Sequence, residues 1–127
     1  MTSSCAFIGR LVTTSAGKRF RWRLTESFGF IHSSGRIDVP EGFETDFASV
    51  PRIFWSILPL TDAQYDQAAV IHDFAVRNRR RLGLRLVDCH RIFYEAMRCG
   101  GVPWFRASIM YRAVLCFNWL FVGEGRG

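Results

Sequence analysis

Four ionisable side chains are the candidates for chemistry in this sequence: Asp46, His72, Asp73 and Asp88. Asp46 stands in an otherwise apolar stretch, residues 42–52, and a carboxylate buried there needs a partner. His72 falls on the apolar stripe of a predicted helix, with Asp73 beside it. If the turn that carries Asp46 packs against the middle of the helices, the four side chains meet. The sequence therefore predicts one cluster built around His72.

Two kinds of active chemistry fit such a cluster. As a metal site, Asp46, His72 and Asp88 would offer an imidazole and carboxylates to a hard or borderline divalent ion. As an acid–base site, His72 would be oriented by a carboxylate and would activate Ser49 or a cysteine as the nucleophile. The sequence shows no nucleophile elbow and no second histidine at zinc-protease spacing, so the pattern leans away from an enzyme.

The third interpretation of the cluster is structural. Asp46 would accept hydrogen bonds from backbone N–H groups and from His72, while Asp73 and Asp88 would pair with arginines, since buried polar groups are usually satisfied. The candidate arginines are Arg52, Arg77 and Arg91. All three interpretations stay open on the sequence alone.

Composition narrows the class of partner. The chain has 127 residues, 49% of them hydrophobic, which suits one compact domain, and its formal charge is +6. Lys18 is the one lysine among the 17 basic residues, and arginine favours bidentate pairing with carboxylate or phosphate. A phosphate-rich, anionic lipid or acidic protein partner fits this balance.

A basic strand is predicted near the N-terminus. Arg19, Arg21 and Arg23 alternate with three large apolar side chains, and a period of two places the arginines on one face. Nucleic acid could bind such a face, but the aromatic rings point away from the arginines. The favoured interpretation is a half-buried strand whose arginines are solvated or paired with Glu26 and Asp38.

The hydrophobic period divides the chain into two halves. Residues 28–31 and 36–39 flank HSSG and predict a hairpin. Helices are predicted over 61–80, 86–99 and 104–122, the second closed by two glycines and the third opened by a proline.

The predicted fold class follows from this order. It is α+β, with a small antiparallel sheet within residues 1–45 and about three α-helices within 61–122 packed on it. One domain spans residues 1–127. The most hydrophobic window, 113–122, is too short to cross a bilayer, and the N-terminus lacks a signal-peptide pattern.

The cysteines predict free thiols. They make no CxxC pair and fit no zinc-finger spacing, so we expect buried thiols of a reducing compartment. They are Cys5, Cys89, Cys99 and Cys116.

The third helix carries more large apolar side chains than one stripe can bury. Such a surplus, which includes Trp119 and Phe121, indicates a surface that contacts a partner. The helix therefore favours a role in assembly.

Several segments together resemble a small phage and prophage family known as domain of unknown function 1353. They are VPEGFETDFASVPR (39–52), AAVIHDF (68–74), the helix with Asp88 and Met97, and MYRAV (110–114). The resemblance covers about residues 20–117 and implies a viral or prophage source, but it brings no reaction with it. The signature positions that it implies are Thr45, Asp46, Ser49, Pro51, Arg52, His72, Asp73 and Asp88.

The expected function is that of a virion component, associated with the tail, neck or capsid and made in the cytoplasm of the bacterial host. It would bind other phage structural proteins in an oligomeric assembly through its aromatic C-terminal helix and its basic strand. The alternative is a small metal- or His/Asp-dependent hydrolase acting on cell-wall or nucleic-acid material.

Overall fold

Strands come first and helices second along the part of the chain that the computed structural model describes, residues 5–17, 22–45 and 63–117. The strands are β1 (Ala6–Ile8), β2 (Thr13–Ser15), β3 (Trp22–Leu24), β4 (Phe28–His32), β5 (Gly35–Val39) and β6 (Glu44–Thr45). The helices are α1 (Ala63–Arg77), α2 (Arg79–Leu82), α3 (Leu86–Cys99) and α4 (Trp104–Phe117). The α+β class is confirmed, with α2 as an additional single turn.

Two antiparallel sheets of three strands each form within these residues, in the orders β1-β4-β5 and β2-β3-β6. The predicted hairpin is β4–β5, whose register runs from Phe28 opposite Val39 to His32 opposite Gly35. Gly29 lies where β4 and β5 approach closely, because a Cβ there would stand 2.9 Å from an Asp38 carboxylate oxygen. A larger residue at this position would have to displace the exposed Asp38 side chain and would crowd the Ile37 carbonyl oxygen, which would stand 3.2 Å from the added Cβ.

The core lies between the first sheet and the helices. Phe28 and Phe30 project from the same face of β4, and Phe7 of β1 stacks against them with ring centroids 5.6 and 4.9 Å away. Ile71 of α1 and Phe93 of α3 belong to the same buried cluster. The period-two face of the sheet and the helical stripes thus bury one common core.

The hairpin is also tied to α3 by hydrogen bonds. The backbone N–H and the hydroxyl of Ser33, in the β4–β5 turn, donate to the two carboxylate oxygens of Glu95 at 2.9 and 2.8 Å. This contact fixes the tip of the sheet against the middle of α3.

The predicted helix over 61–80 is interrupted at Asn78. The side-chain amide of Asn78 donates to the Phe74 carbonyl at 3.0 Å, and its own backbone N–H donates to the same oxygen. An asparagine side chain that binds the backbone of the preceding turn favours the end of a helix. The arginine-rich end of the predicted helix therefore forms the separate turn α2, which ends at Gly83 in the left-handed region (φ 73°).

The prediction of free thiols is wrong for one pair. Cys5, just before β1, forms a disulfide with Cys99 at the end of α3, across a sequence separation of 94 residues. Cys89 is a buried free thiol, as expected. Spacing along the chain did not reveal the disulfide, because its two partners come from elements that meet only in the folded protein.

Two expectations about the surface can also be compared with the structure. Trp22 was expected on the buried face of its strand but is 40% exposed. Within the described residues, none of the helices combines the length and the hydropathy needed to cross a membrane.

Candidate functional site

The centre of the helical layer holds a pair of histidines. His72 of α1 and His90 of α3 are each 1% exposed, and His72 Nε2 lies 2.8 Å from His90 Nδ1. The two rings have centroids 5.0 Å apart, and the Phe93 ring lies 4.9 Å from His72. We call His72 and His90 the histidine pair.

The hydrogen bond between the two histidines uses one ring nitrogen of each, and the other two are His72 Nδ1 and His90 Nε2. One neutral imidazole must donate and the other must accept, so either His72 Nδ1 or His90 Nε2 carries the remaining proton. Both atoms are buried, and neither has a hydrogen-bond partner within the described residues. An unsatisfied buried donor costs about 1–3 kcal/mol, so the pair is a polar feature that the core does not fully compensate.

Burial also decides the charge of the pair. Desolvation lowers the pKa of His72 to about 3, with the neighbouring His90 adding to the effect, and desolvation lowers the pKa of His90 to about 4. Both side chains are therefore neutral at physiological pH. A neutral imidazole is a competent base or metal ligand, but these two are enclosed by the core.

Asp73 forms a separate network on another face of α1. Its carboxylate accepts a hydrogen bond from the Thr45 hydroxyl at 2.8 Å and pairs with Arg77 Nε at 3.0 Å. Arg77 in turn donates to the carbonyl of Glu44 at 2.7 Å. We call Thr45, Asp73 and Arg77 the Asp73 network, and it fastens β6 to α1.

Helical geometry explains why the two neighbours separate. Consecutive helical residues project about 100° apart, so His72 and Asp73 cannot point to the same spot. His72 turns to α3 and Asp73 turns to β6. The hydrogen-bond partner of the His72 imidazole is thus another histidine.

Asp88 acts at the start of α3. Its carboxylate accepts from the backbone N–H of Arg85 at 2.9 Å and pairs with Arg91 at 3.0 Å. The backbone hydrogen bond from Arg85, followed by the Arg85 side chain, lowers the pKa of Asp88. These contacts are those of a helix cap, and Arg91 is one of the arginines that the structural interpretation proposed.

Several predicted positions lie outside the described residues, so the proposed contact between Asp46 and His72 stays a prediction. These positions are Arg19, Arg21, Asp46, Ser49, Pro51, Arg52, Trp119 and Phe121. His90 was not among the predicted site residues, although it is buried on the second predicted helix next to Cys89. A lone histidine on an apolar helical face is the signal that could have identified it.

The chemistry open to the described side chains is limited by burial. Burial raises the pKa of the Cys89 thiol to about 11, so this cysteine is a poor nucleophile at neutral pH. No group of three or more His, Cys, Asp and Glu side chains within the described ranges has the arrangement of a metal site. The contacts that the structure does show join elements of the fold: the histidine pair links α1 to α3, and the Asp73 network links β6 to α1.

Arg23 is the described member of the predicted basic strand. Its guanidinium pairs with Glu44 on the neighbouring strand β6 at 3.3 Å, rather than with Glu26 or Asp38. Glu26 instead pairs with Arg10. The correction follows from strand order, since β3 lies between β2 and β6.

The outer face of α4 is apolar. Trp104, Phe105 and Ile109 are 65%, 50% and 45% exposed, and they fall within about 140° of helical arc. The opposite side of α4 buries Ala107 and Met110 in the core. We call Trp104, Phe105 and Ile109 the α4 outer face.

These features define a small α+β domain with polar contacts inside its core and an apolar helical face outside it. A family profile described as "Protein of unknown function (DUF1353)" matches residues 22–114. The chain belongs to this family, as the signature segments indicated.

One curated relative is the uncharacterized protein y4jT of Sinorhizobium fredii (strain NBRC 101917 / NGR234). It is 39% identical over 106 residues, which cover 81% of this chain and 30% of the relative. The chain thus spans less than a third of the length of that relative. No solved structure matches the chain.

Proposed function

We propose that this protein is a structural or assembly component of a phage-derived particle, associated with its tail, neck or capsid. It docks on neighbouring protein subunits, as part of an oligomeric assembly, through the α4 outer face. The observation that carries the proposal is the exposure of Trp104, Phe105 and Ile109 side by side on one helix. Contiguous exposed apolar side chains of this kind mark interaction surfaces.

The composition of this face suits a protein interface. Trp104 and Phe105 are in edge-to-face contact with ring centroids 6.2 Å apart, and the Arg106 guanidinium lies 5.9 Å from the centre of the Phe105 ring. Aromatic anchors with arginine beside them are typical of interface hot spots. Burying one such side chain contributes about 1.5–3 kcal/mol relative to leaving it exposed.

The longer relative supports the same proposal. The matched region forms 30% of that protein, so there the domain is covalently joined to a larger polypeptide. We infer that the α4 outer face would pack on neighbouring polypeptide, in the same chain or in another subunit. The basic strand with Arg23 would be a second contact, toward an acidic subunit.

Mass spectrometry of purified particles tests the proposal. The tagged protein is expressed in the host that carries it, particles are induced and banded on a density gradient, and the band is analysed for this chain. We expect the wild type in the particle band and expect the Trp104→Ser/Phe105→Ser/Ile109→Ser variant only in the soluble fraction.

The control is Val87→Ser, which removes another exposed apolar side chain, 41% exposed, on α3. Circular dichroism confirms that both variants fold. Absence of the wild-type protein from particles, while it is present in the lysate, would refute the structural role.

A second candidate function is that of a His/Asp-dependent hydrolase, and one observation favours it. The buried nitrogens His72 Nδ1 and His90 Nε2 have no hydrogen-bond partner within the described residues, and unsatisfied polar atoms of this kind recur at functional sites. Hydrolysis of cell-wall or nucleic-acid material that is lost in a folded His72→Gln variant would establish this candidate. Equal activity in that variant and in the wild type would remove His72 from the chemistry.

A further inference from the structure

A cleft of about 510 Å³ lies where α1 passes into α2, on a part of the molecule that the proposed docking face does not include. It is lined by Val76, Arg77, Asn78, Arg79, Arg80 and Arg81. Four of these six side chains are arginines and none is acidic. The sequence supplies this concentration of arginine, and the break at Asn78 places it where α1 ends and α2 begins.

The arginines of the cleft differ in what they bind. Arg77 belongs to the Asp73 network and is neutralised by that carboxylate at 3.0 Å. Arg79 donates to a backbone carbonyl at 3.1 Å and Arg81 to a side-chain amide oxygen at 3.2 Å. Within the described residues, Arg79, Arg80 and Arg81 make no ion pair with a carboxylate. A guanidinium has five N–H donors, so these three keep most of theirs for a ligand.

The helix dipole does not account for this concentration of charge. Cations favour the last turn of a helix, and Arg77 already occupies that place in α1. The segment α2 is a single turn, so its helix dipole is too small to stabilise three further guanidinium groups. The Arg81 guanidinium instead lies 5.9 Å from the centre of the Phe74 ring, which holds it at the edge of the cleft.

We propose that this cleft binds a nucleic-acid strand through its phosphodiester backbone, with Arg79, Arg80 and Arg81 as the phosphate contacts. The volume lies in the range of ligand sites for molecules much larger than a single oxyanion, and a strand presents successive phosphates along such a cleft. The guanidinium fork matches the geometry of phosphate, and the chain carries its positive charge almost entirely as arginine.

The surroundings of the cleft favour a strand over a membrane surface. Segments that bind membranes place apolar side chains beside their cations, so that both reach the lipid interface. The large hydrophobic side chains exposed in the described residues are Trp22, Val87, Trp104, Phe105 and Ile109, and none of them lines the cleft. An acidic peptide is the other polyanion that the experiment must separate from nucleic acid.

The experiment measures binding of the whole chain to labelled oligo(dT) of about 30 nucleotides by fluorescence anisotropy, over a series of salt concentrations. Three phosphate contacts predict a slope of log K against log salt near −2, because single strands give about −0.7 for each contact. In the Arg80→Gln/Arg81→Gln variant we expect the slope to shrink by about 1.4 and the affinity at low salt to fall at least about tenfold.

Two variants serve as controls. Arg10→Gln/Arg36→Gln removes the same charge from exposed positions outside the cleft and should change the affinity less than about threefold. Arg80→Lys/Arg81→Lys keeps the charge and should keep the slope while it loses affinity, because lysine lacks the fork. Thermal melts by circular dichroism show that each variant is folded.

Three results would overturn the inference. The first is no binding of the wild type to oligo(dT) or to duplex DNA at low salt. The second is equal loss of affinity in the cleft variant and in the Arg10/Arg36 control, which would reduce the effect to net charge. The third is tighter binding to phosphatidylserine vesicles or to polyglutamate than to the oligonucleotide.

Discussion

Acidification should destabilise this protein through the histidine pair. The pKa of His72 is lowered to about 3 and that of His90 to about 4, whereas both sit near 6.5 in the unfolded chain. Below pH 6.5 the two histidines therefore bind protons in the unfolded state but stay unprotonated in the folded state. Stability contributed by the pair is complete above pH 6.5 and is lost as the pH falls toward the lowered values.

The magnitude follows from that interval. Between pH 8 and pH 5 each unfolded histidine titrates over about 1.5 pH units, which at about 1.4 kcal/mol for each unit is about 2 kcal/mol. Two histidines that stay neutral in the folded state give about 4 kcal/mol, a large share of the stability of a small domain. Asp88 does not interfere, because its pKa is lowered from 3.8 and its contribution is lost only below about pH 4.

Urea unfolding followed by circular dichroism at pH 8, 7, 6 and 5 measures the effect. The His72→Gln/His90→Gln variant keeps polar side chains that do not titrate and should lose most of the pH dependence. His32→Gln is the comparison variant: burial also lowers the pKa of His32, so this variant should lose only the part of the pH dependence that belongs to His32 and keep the part that belongs to the pair. If the double variant fails to fold, NMR of the wild type replaces it, and the imidazole signals of His72 and His90 should not shift down to pH 5.

A free energy of unfolding that stays constant within about 1 kcal/mol from pH 8 to pH 5 would refute the reasoning. A double variant that kept the wild-type slope would refute it as well. Either result would mean that the two imidazoles reach solvent or a carboxylate when they take up a proton.

Two further predictions concern contacts that join distant segments. Asp73→Asn should lower the free energy of unfolding by about 2–3 kcal/mol, because a largely buried carboxylate loses its pair with Arg77. Urea unfolding measures it against Asp38→Asn, an exposed pair that should cost less than about 1 kcal/mol, and equal effects would contradict the role of burial. Cys5→Ser should destabilise the oxidised protein by about 4–5 kcal/mol, since the disulfide to Cys99 closes a loop of 94 residues. Thermal melts with and without reductant check this: reduction should lower the melting temperature of the wild type alone, and a variant as stable as the oxidised wild type would contradict it.

The helix α3 shows what local sequence signals can predict. Its predicted bounds, 86–99, are those of the structure, because the apolar stripe, Asp88 at the start and two glycines at the end are all local signals. The preceding helix was predicted as one element over 61–80, and the break falls at Asn78, whose side chain binds the Phe74 carbonyl of the preceding turn. Patterns of polarity do not report such a contact.

The candidate site shows the limit of the same approach. Periodicity placed His72 on the buried face of its helix, which the structure confirms, but it could not name the side chain that His72 would meet. Asp73 was expected beside the imidazole and instead binds Thr45, since adjacent helical positions diverge by about 100°.

The sequence by itself determined the order of strands and helices, the β4–β5 hairpin and the family, because each of these depends on residues close together in the chain. The tertiary structure alone decided that His72 meets His90 and that Cys5 meets Cys99, and the break of the helix at Asn78 decided that the consecutive arginines line a cleft. Those contacts depend on how separate elements pack and where a helix breaks. The hydrophobic effect that drives this packing is non-directional. The hydrophobic periodicity that predicts strands and helices therefore does not specify which polar side chains will meet.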